Sequence, residues 1–163
     1  MDVRARYSIP AIAEGAGIPL PRLNTWLARG LLTLTGDGDR PKWKHRHGTF
    51  DDITAAALLA AVIDAGGDAA EASEAVSIFR SRGARGWLFV SGQDAEGRPF
   101  RRAVRKEDLA RVLAPSGTAG PRSAIVIDVE RIETEVAVRV GAALQAESWR
   151  RAQALGLMEG RDG

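Results

Sequence analysis

The amino-acid sequence predicts a mainly helical α+β fold, with a helical N-terminal half and a smaller α+β module after it. Three observations predict this. Two short helix signals joined by a glycine-containing turn open the chain, and a basic loop follows them. Two helix starts of the same kind, at Thr49 and Asp68, then introduce apolar stretches. After residues 82–86 the texture changes to short apolar runs parted by turn residues, as in strands.

Taken in order, Ser8 is placed to cap a helix over residues 9–14, and Gly15 and Gly17 are expected to break it. Pro19 and Pro21 suit the first turn of a second helix, where a missing N–H costs little. That helix runs to about Arg29 and stops at Gly30. Residues 33–48 are rich in Thr, Gly and Pro and read as a loop or hairpin. Thr49 with Asp52 opens a third helix over 50–65, ended by Gly66 and Gly67. Asp68 with Glu71 opens a fourth, to about Arg82, with Ala72, Ala75, Val76 and Phe79 on one apolar face. Residues 83–86 are the expected boundary. Residues 87–91 and 99–104 then form a hairpin around the turn at 92–97, 107–113 a short helix, and 124–127 a third strand. Residues 129–146 fit both periods. Val129, Ile132, Val136, Val140 and Leu144 make a helical stripe, while Val136, Val138 and Val140 alternate. Length favours a helix capped by Asp128. The last dozen residues are expected to fray.

Composition removes several classes of function. The chain has 163 residues and no cysteine, which excludes disulfides, thiolate metal sites and a cysteine nucleophile. Its two histidines, His45 and His47, are too few for a His-based centre, and no metal or cofactor is expected. The longest apolar stretch, 55–63, is far short of the roughly 20 residues of a membrane span. The N-terminus has charge but no apolar run behind it, so a cytoplasmic location is expected. No nucleophile, base and orienting group are set together, so an enzyme is the least supported class. The net charge of +2 is small. Its distribution is more telling, because residues 40–47 hold four Lys or Arg and no acid.

Two short helices followed by a basic hairpin describe an N-terminal winged helix-turn-helix. Ile9, Ile12 and Ala13 can brace Leu23, Trp26 and Leu27. This leaves Arg22, Asn24, Thr25 and Arg29 for the exposed side of the second helix. Arg can make two hydrogen bonds to guanine and Asn two to adenine. Arg40, Lys42, Trp43, Lys44, His45, Arg46 and His47 would lie along the phosphates. Trp43 either stacks on a sugar or packs beneath the wing.

Tyr7-Ser8-Ile9, Ile12-Ala13, Gly17-Ile18, Leu23, Trp26 and Gly30-Leu31 resemble, without a gap, the opening of MerR-type DNA-binding domains. The likeness covers about residues 5–82. It implies a first helix, a turn, a recognition helix and a wing, with polar positions 22, 24 and 25 on the recognition helix and Arg46 and His47 in the wing. Gly48 stands where that family often has an aromatic residue. The chain also departs from the family after residue 82, where its activators continue into one long helix, and it lacks the cysteines of the family's metal sensors. Metal sensing, redox sensing and promoter twisting are therefore not carried over.

The expected organisation is a DNA-binding part over 1–82, a linker at 83–86, and a dimerisation or effector module over 87–163. The expected function is sequence-specific double-stranded DNA binding as a homodimer, used in transcriptional regulation, with repression simplest because it needs only occupancy. The sequence points to no particular small-molecule effector. Residues 129–146 and Trp149 are the favoured dimer surface, although Trp87 and Trp149 fit a core or a dimer contact alike. Two other classes stay open: a phage-type packaging protein like a small terminase, or an excisionase-like protein; and an interaction adaptor whose helix-turn-helix has lost DNA. A second basic cluster, Arg98, Arg101, Arg102, Arg105 and Lys106, reads as structural or interfacial rather than as a further nucleic-acid contact.

Overall fold

A helix that is apolar all round belongs in the middle of a protein, and the stretch after Thr49 is one. In the computed structural model, which describes residues 6–35, 46–114, 121 and 123–155, it forms the central helix Phe50–Asp64. Every residue from Asp52 to Ala60 is buried, and so is Val62. Four of them, Ala55, Ala56, Ala57 and Ala60, are alanines that let neighbouring backbones approach.

The elements run β1 (Tyr7–Ser8), α1 (Ile9–Ala16), α2 (Leu20–Ala28), β2 (His47–Gly48), α3 (Phe50–Asp64), α4 (Ala69–Arg82), β3 (Trp87–Gln93), β4 (Pro99–Arg105), α5 (Leu109–Leu113), β5 (Ser123–Asp128) and α6 (Val129–Ala154). A 3-10 turn, Lys106–Asp108, precedes α5. The fold is thus mixed and mainly helical, with two small antiparallel sheets among the described residues.

The helix ends follow the expected chemistry. The Ser8 hydroxyl accepts the N–H of Ala11. Both capping boxes close: Thr49 with Asp52, and Asp68 with Glu71. Asp128 accepts the Arg131 N–H and starts α6. The one misplaced break is at Gly15. It lies inside α1, which ends instead at Gly17 in the left-handed conformation. Gly15 serves close packing rather than a turn. A Cβ there would stand 2.9 Å from Ile53 Cγ2 and 3.0 Å from Val140 Cγ2, so α1, α3 and α6 meet at this position.

The three-stranded sheet has the order β4-β3-β5, with β3 in the centre. Its side chains alternate as a strand requires. Phe89 joins the main core, while Leu88 and Val90 face a second cluster with Val104, covered by Leu109, Val112 and Leu113 of α5. The main core is continuous across the expected boundary. Ala84, Phe89, Val129, Val136 and Val140 share it with Ile12, Leu23, Ile53 and Leu59. Residues 83–86 form a turn whose Ala84 is buried.

Helix α6 is longer than the expected 129–146, at 26 residues or about 39 Å. Its apolar stripe is buried only as far as Val140. Beyond that Leu144 and Trp149 are exposed. Among the described residues no helix is long and apolar enough to cross a membrane.

Candidate nucleic-acid interface

Helices α1 and α2 form a bihelical unit joined by the turn Gly17-Ile18-Pro19. Ile18 N–H returns to the Ala13 carbonyl at 3.0 Å, which tightens the turn. Ile12, Ala13, Leu23 and Trp26 are buried between the helices and α3, with Ile9 and Leu27 partly buried beside them. The expected brace is present, and it sets which face of α2 remains outside.

That outer face carries Asn24, Thr25 and Arg29, all exposed. Thr25 and Arg29 are four residues apart and share one side of the helix. The Thr25 hydroxyl donates to the Pro21 carbonyl at 2.9 Å, which leaves its oxygen able to accept from outside. Arg22 is placed differently. Its Nη2 lies 2.6 Å from Asp64 Oδ1 at the end of α3, and its guanidinium sits 4.8 Å from the centre of the Trp26 ring. Arg22 is therefore half-buried and engaged within the molecule, at the edge of the polar face.

Of the basic segment, Arg40, Lys42, Trp43, Lys44 and His45 lie outside the described residues. Arg46 and His47 are half-buried at its end. His47 lies in β2, opposite Ser8 of β1, and Tyr7 is opposite Gly48. The chain between Thr35 and Arg46 is therefore fixed at its return by pairing with the strand that leads into α1. Gly48 is required there, since a Cβ would come within 2.7 Å of Ile12 Cδ1.

The departure point is fixed by a carboxylate whose spacing to Thr49 marks it only as a helix N-terminal acid. Asp52 is fully buried. It accepts the backbone N–H and hydroxyl of Thr35, the N–H and hydroxyl of Thr49, and Nη2 of Arg80 at 3.1 Å. Arg80 also donates to the hydroxyl and carbonyl of Thr33. One buried charge thus ties the root of the basic segment to α3 and α4. The capping-box spacing identified the bond to Thr49. Nothing in the sequence pattern brought Arg80 to the same atom.

The second basic cluster divides. Arg98 pairs with Asp94 and Glu96, and Arg101 lies among Asp68, Glu71 and Glu74. Lys106 reaches both Asp128 and Glu130 at 2.9 Å, and these hydrogen bonds hold its ammonium above the usual lysine range. Glu135 of α6 pairs with Arg131 and Arg139 rather than with this cluster. No group of three or more His, Cys, Asp or Glu suited to a metal ion occurs among the described residues.

Compared with known protein families and with curated proteins, the chain matches none.

Proposed function

We propose that this protein is a sequence-specific DNA-binding regulator, cytoplasmic, that reads the major groove with α2. One observation carries the reading: α1 and α2 are braced through a shared core that leaves Asn24, Thr25 and Arg29 on an open face. In the MerR-like winged helix-turn-helix reading, α2 is the recognition helix and residues 36–48 are the wing. Arg46, His47 and the cations of 40–44 then contact phosphates, which fixes register, while α2 supplies the base contacts. Asp52 and the β1–β2 pair support this reading because they hold both ends of the basic segment beside α1 and α3.

One short helix reads few base pairs, so a homodimer is part of the proposal. The exposed Leu144 and Trp149 on α6 offer its apolar contact. Repression remains the simplest use, since it needs only occupancy. The reading is tested by titrating duplex DNA with the parent protein and with Asn24→Ala and Arg29→Ala. Both residues are exposed, so folding stability should stay within about 0.5 kcal/mol of the parent. Discrimination against the wrong base should fall by about 1–3 kcal/mol if the residue makes a bidentate base contact. Unchanged binding in both variants would defeat the assignment of α2.

A further inference from the structure

We propose that Arg82 and Arg105, held over the Trp87 ring, and Arg85 in the turn before it form a second contact for the DNA phosphate backbone. The proposal rests on the DNA-binding reading above and adds a surface outside the helix-turn-helix.

Three elements supply the three cations. Arg82 ends α4, Arg85 lies in the turn that follows, and Arg105 ends β4. Arg105 stands opposite Trp87 in the β3–β4 register. Its guanidinium lies 4.0 Å from the Trp87 ring centre, and that of Arg82 lies 4.8 Å from it. Arg105 Nη1 also donates to the Arg85 carbonyl at 3.5 Å. Gly86 makes this approach possible, because a Cβ there would stand 3.2 Å from the same nitrogen. All three arginines are exposed, and Trp87 is half-buried.

The charges of Arg82 and Arg105 are held over the indole but not neutralised. Among the described residues no carboxylate lies within ion-pair distance of Arg82, Arg85 or Arg105. Elsewhere in the second basic segment, Arg98, Arg101 and Lys106 all have acidic partners. Glu130 accepts the Gly86 N–H, but its carboxylate is taken up by Lys106. A guanidinium held over an indole keeps N–H groups at its edge for phosphate oxygens, although at Arg105 one of them, Nη1, also meets the Arg85 carbonyl. An exposed cluster of this kind fits an extended polyanion better than a small enclosed ligand.

The location favours DNA as that polyanion. Arg80, two residues before Arg82, bonds Thr33 and Asp52 at the root of the basic segment. The cluster begins at the same end of α4, which Arg80 ties to Thr33, just before the proposed wing. In this proposal the backbone of a duplex held by α2 and the wing continues past this end of α4.

The test uses the full chain and a duplex selected by it, with affinity measured across salt concentrations. The triple variant Arg82→Gln, Arg85→Gln, Arg105→Gln should lose about tenfold or more in affinity at 0.1 M salt, and its log–log salt slope should be shallower by about 2–3, as expected for three lost phosphate contacts. Its ranking of duplex sequences should not change. The triple Lys variant should keep the slope. The single Arg85→Gln variant removes no stacking partner of Trp87 and should lose about one unit of slope, which covers the case of a triple variant that does not fold. Parental affinity and slope in the Gln variants would overturn this proposal alone. A parent protein that retains no DNA would overturn it together with the DNA-binding reading.

Discussion

Arg22 of α2 is clasped by Asp64 of α3 at 2.6 Å. The pair joins the helix expected to read bases to the end of the central helix, and it competes with any DNA contact by Arg22. Its side chains are 30% and 61% exposed, so solvent screens it. Asp64→Asn should change folding stability by less than about 1 kcal/mol. It should also raise DNA affinity, because it frees a guanidinium and removes an acid beside α2. Arg22→Ala should lower that affinity. Titration of the two variants against one duplex checks this. Equal affinities would make Arg22 a brace for Trp26 and nothing more.

The Asp52 clasp should be far more costly to break. Asp52→Ala leaves Arg80 without its carboxylate and four Thr donors without their acceptor. The loss should be about 3 kcal/mol in urea unfolding. Asp52→Asn keeps one accepting oxygen and should fall between the two. A loss under about 1 kcal/mol for the alanine variant would contradict the clasp.

Helix α6 supplies a test of assembly. Leu144 and Trp149 are 50% and 52% exposed. Leu144→Glu combined with Trp149→Glu should leave the far-ultraviolet spectrum and thermal midpoint near the parent's. Light scattering should shift from a dimer to a monomer, with DNA affinity falling in parallel. A monomeric parent at high concentration would remove the dimer from the account.

Stability should also respond to pH through Glu133. Burial pushes its carboxyl above the usual range, and the charges of Asp51 and Glu130 add to this. Its contribution to stability is complete below the unfolded value near 4.5 and is lost as pH rises through the raised folded value. Glu133→Gln should therefore be more stable than the parent at pH 7. Below about pH 4, where the carboxyl is protonated in both states, that advantage should vanish. Urea midpoints at the two pH values measure it. A constant difference would contradict the assignment.

Local chemistry was legible in the sequence because it acts over a few residues. Ser8, Thr49 with Asp52, Asp68 with Glu71, and Asp128 start helices by bonds that span three positions. The apolar face of α4, Ala72, Ala75, Val76 and Phe79, is buried as its spacing predicts. Long-range pairings were not legible. Arg80 meets Thr33 across 47 residues, and Arg139 Nη1 bonds the Gly15 carbonyl across 124. No periodicity encodes such distances. Gly15 looked like a helix breaker because glycine is permissive, while its position is set by two side chains from other helices. At the candidate site, the brace and the exposed Asn24, Thr25 and Arg29 followed from helical spacing. The engagement of Arg22 did not, since its partner lies 42 residues away.

The most direct measurement is selection of bound duplexes from a random DNA library by the purified protein, repeated across salt concentrations. The account predicts an enriched inverted repeat, bound with an affinity that falls steeply as salt rises. Enrichment of isolated half-sites or flexible steps would point to DNA packaging or bending instead of dimeric operator binding. Retention of no DNA, even at low salt, would contradict the central claim and leave the helix-turn-helix as a protein-interaction surface.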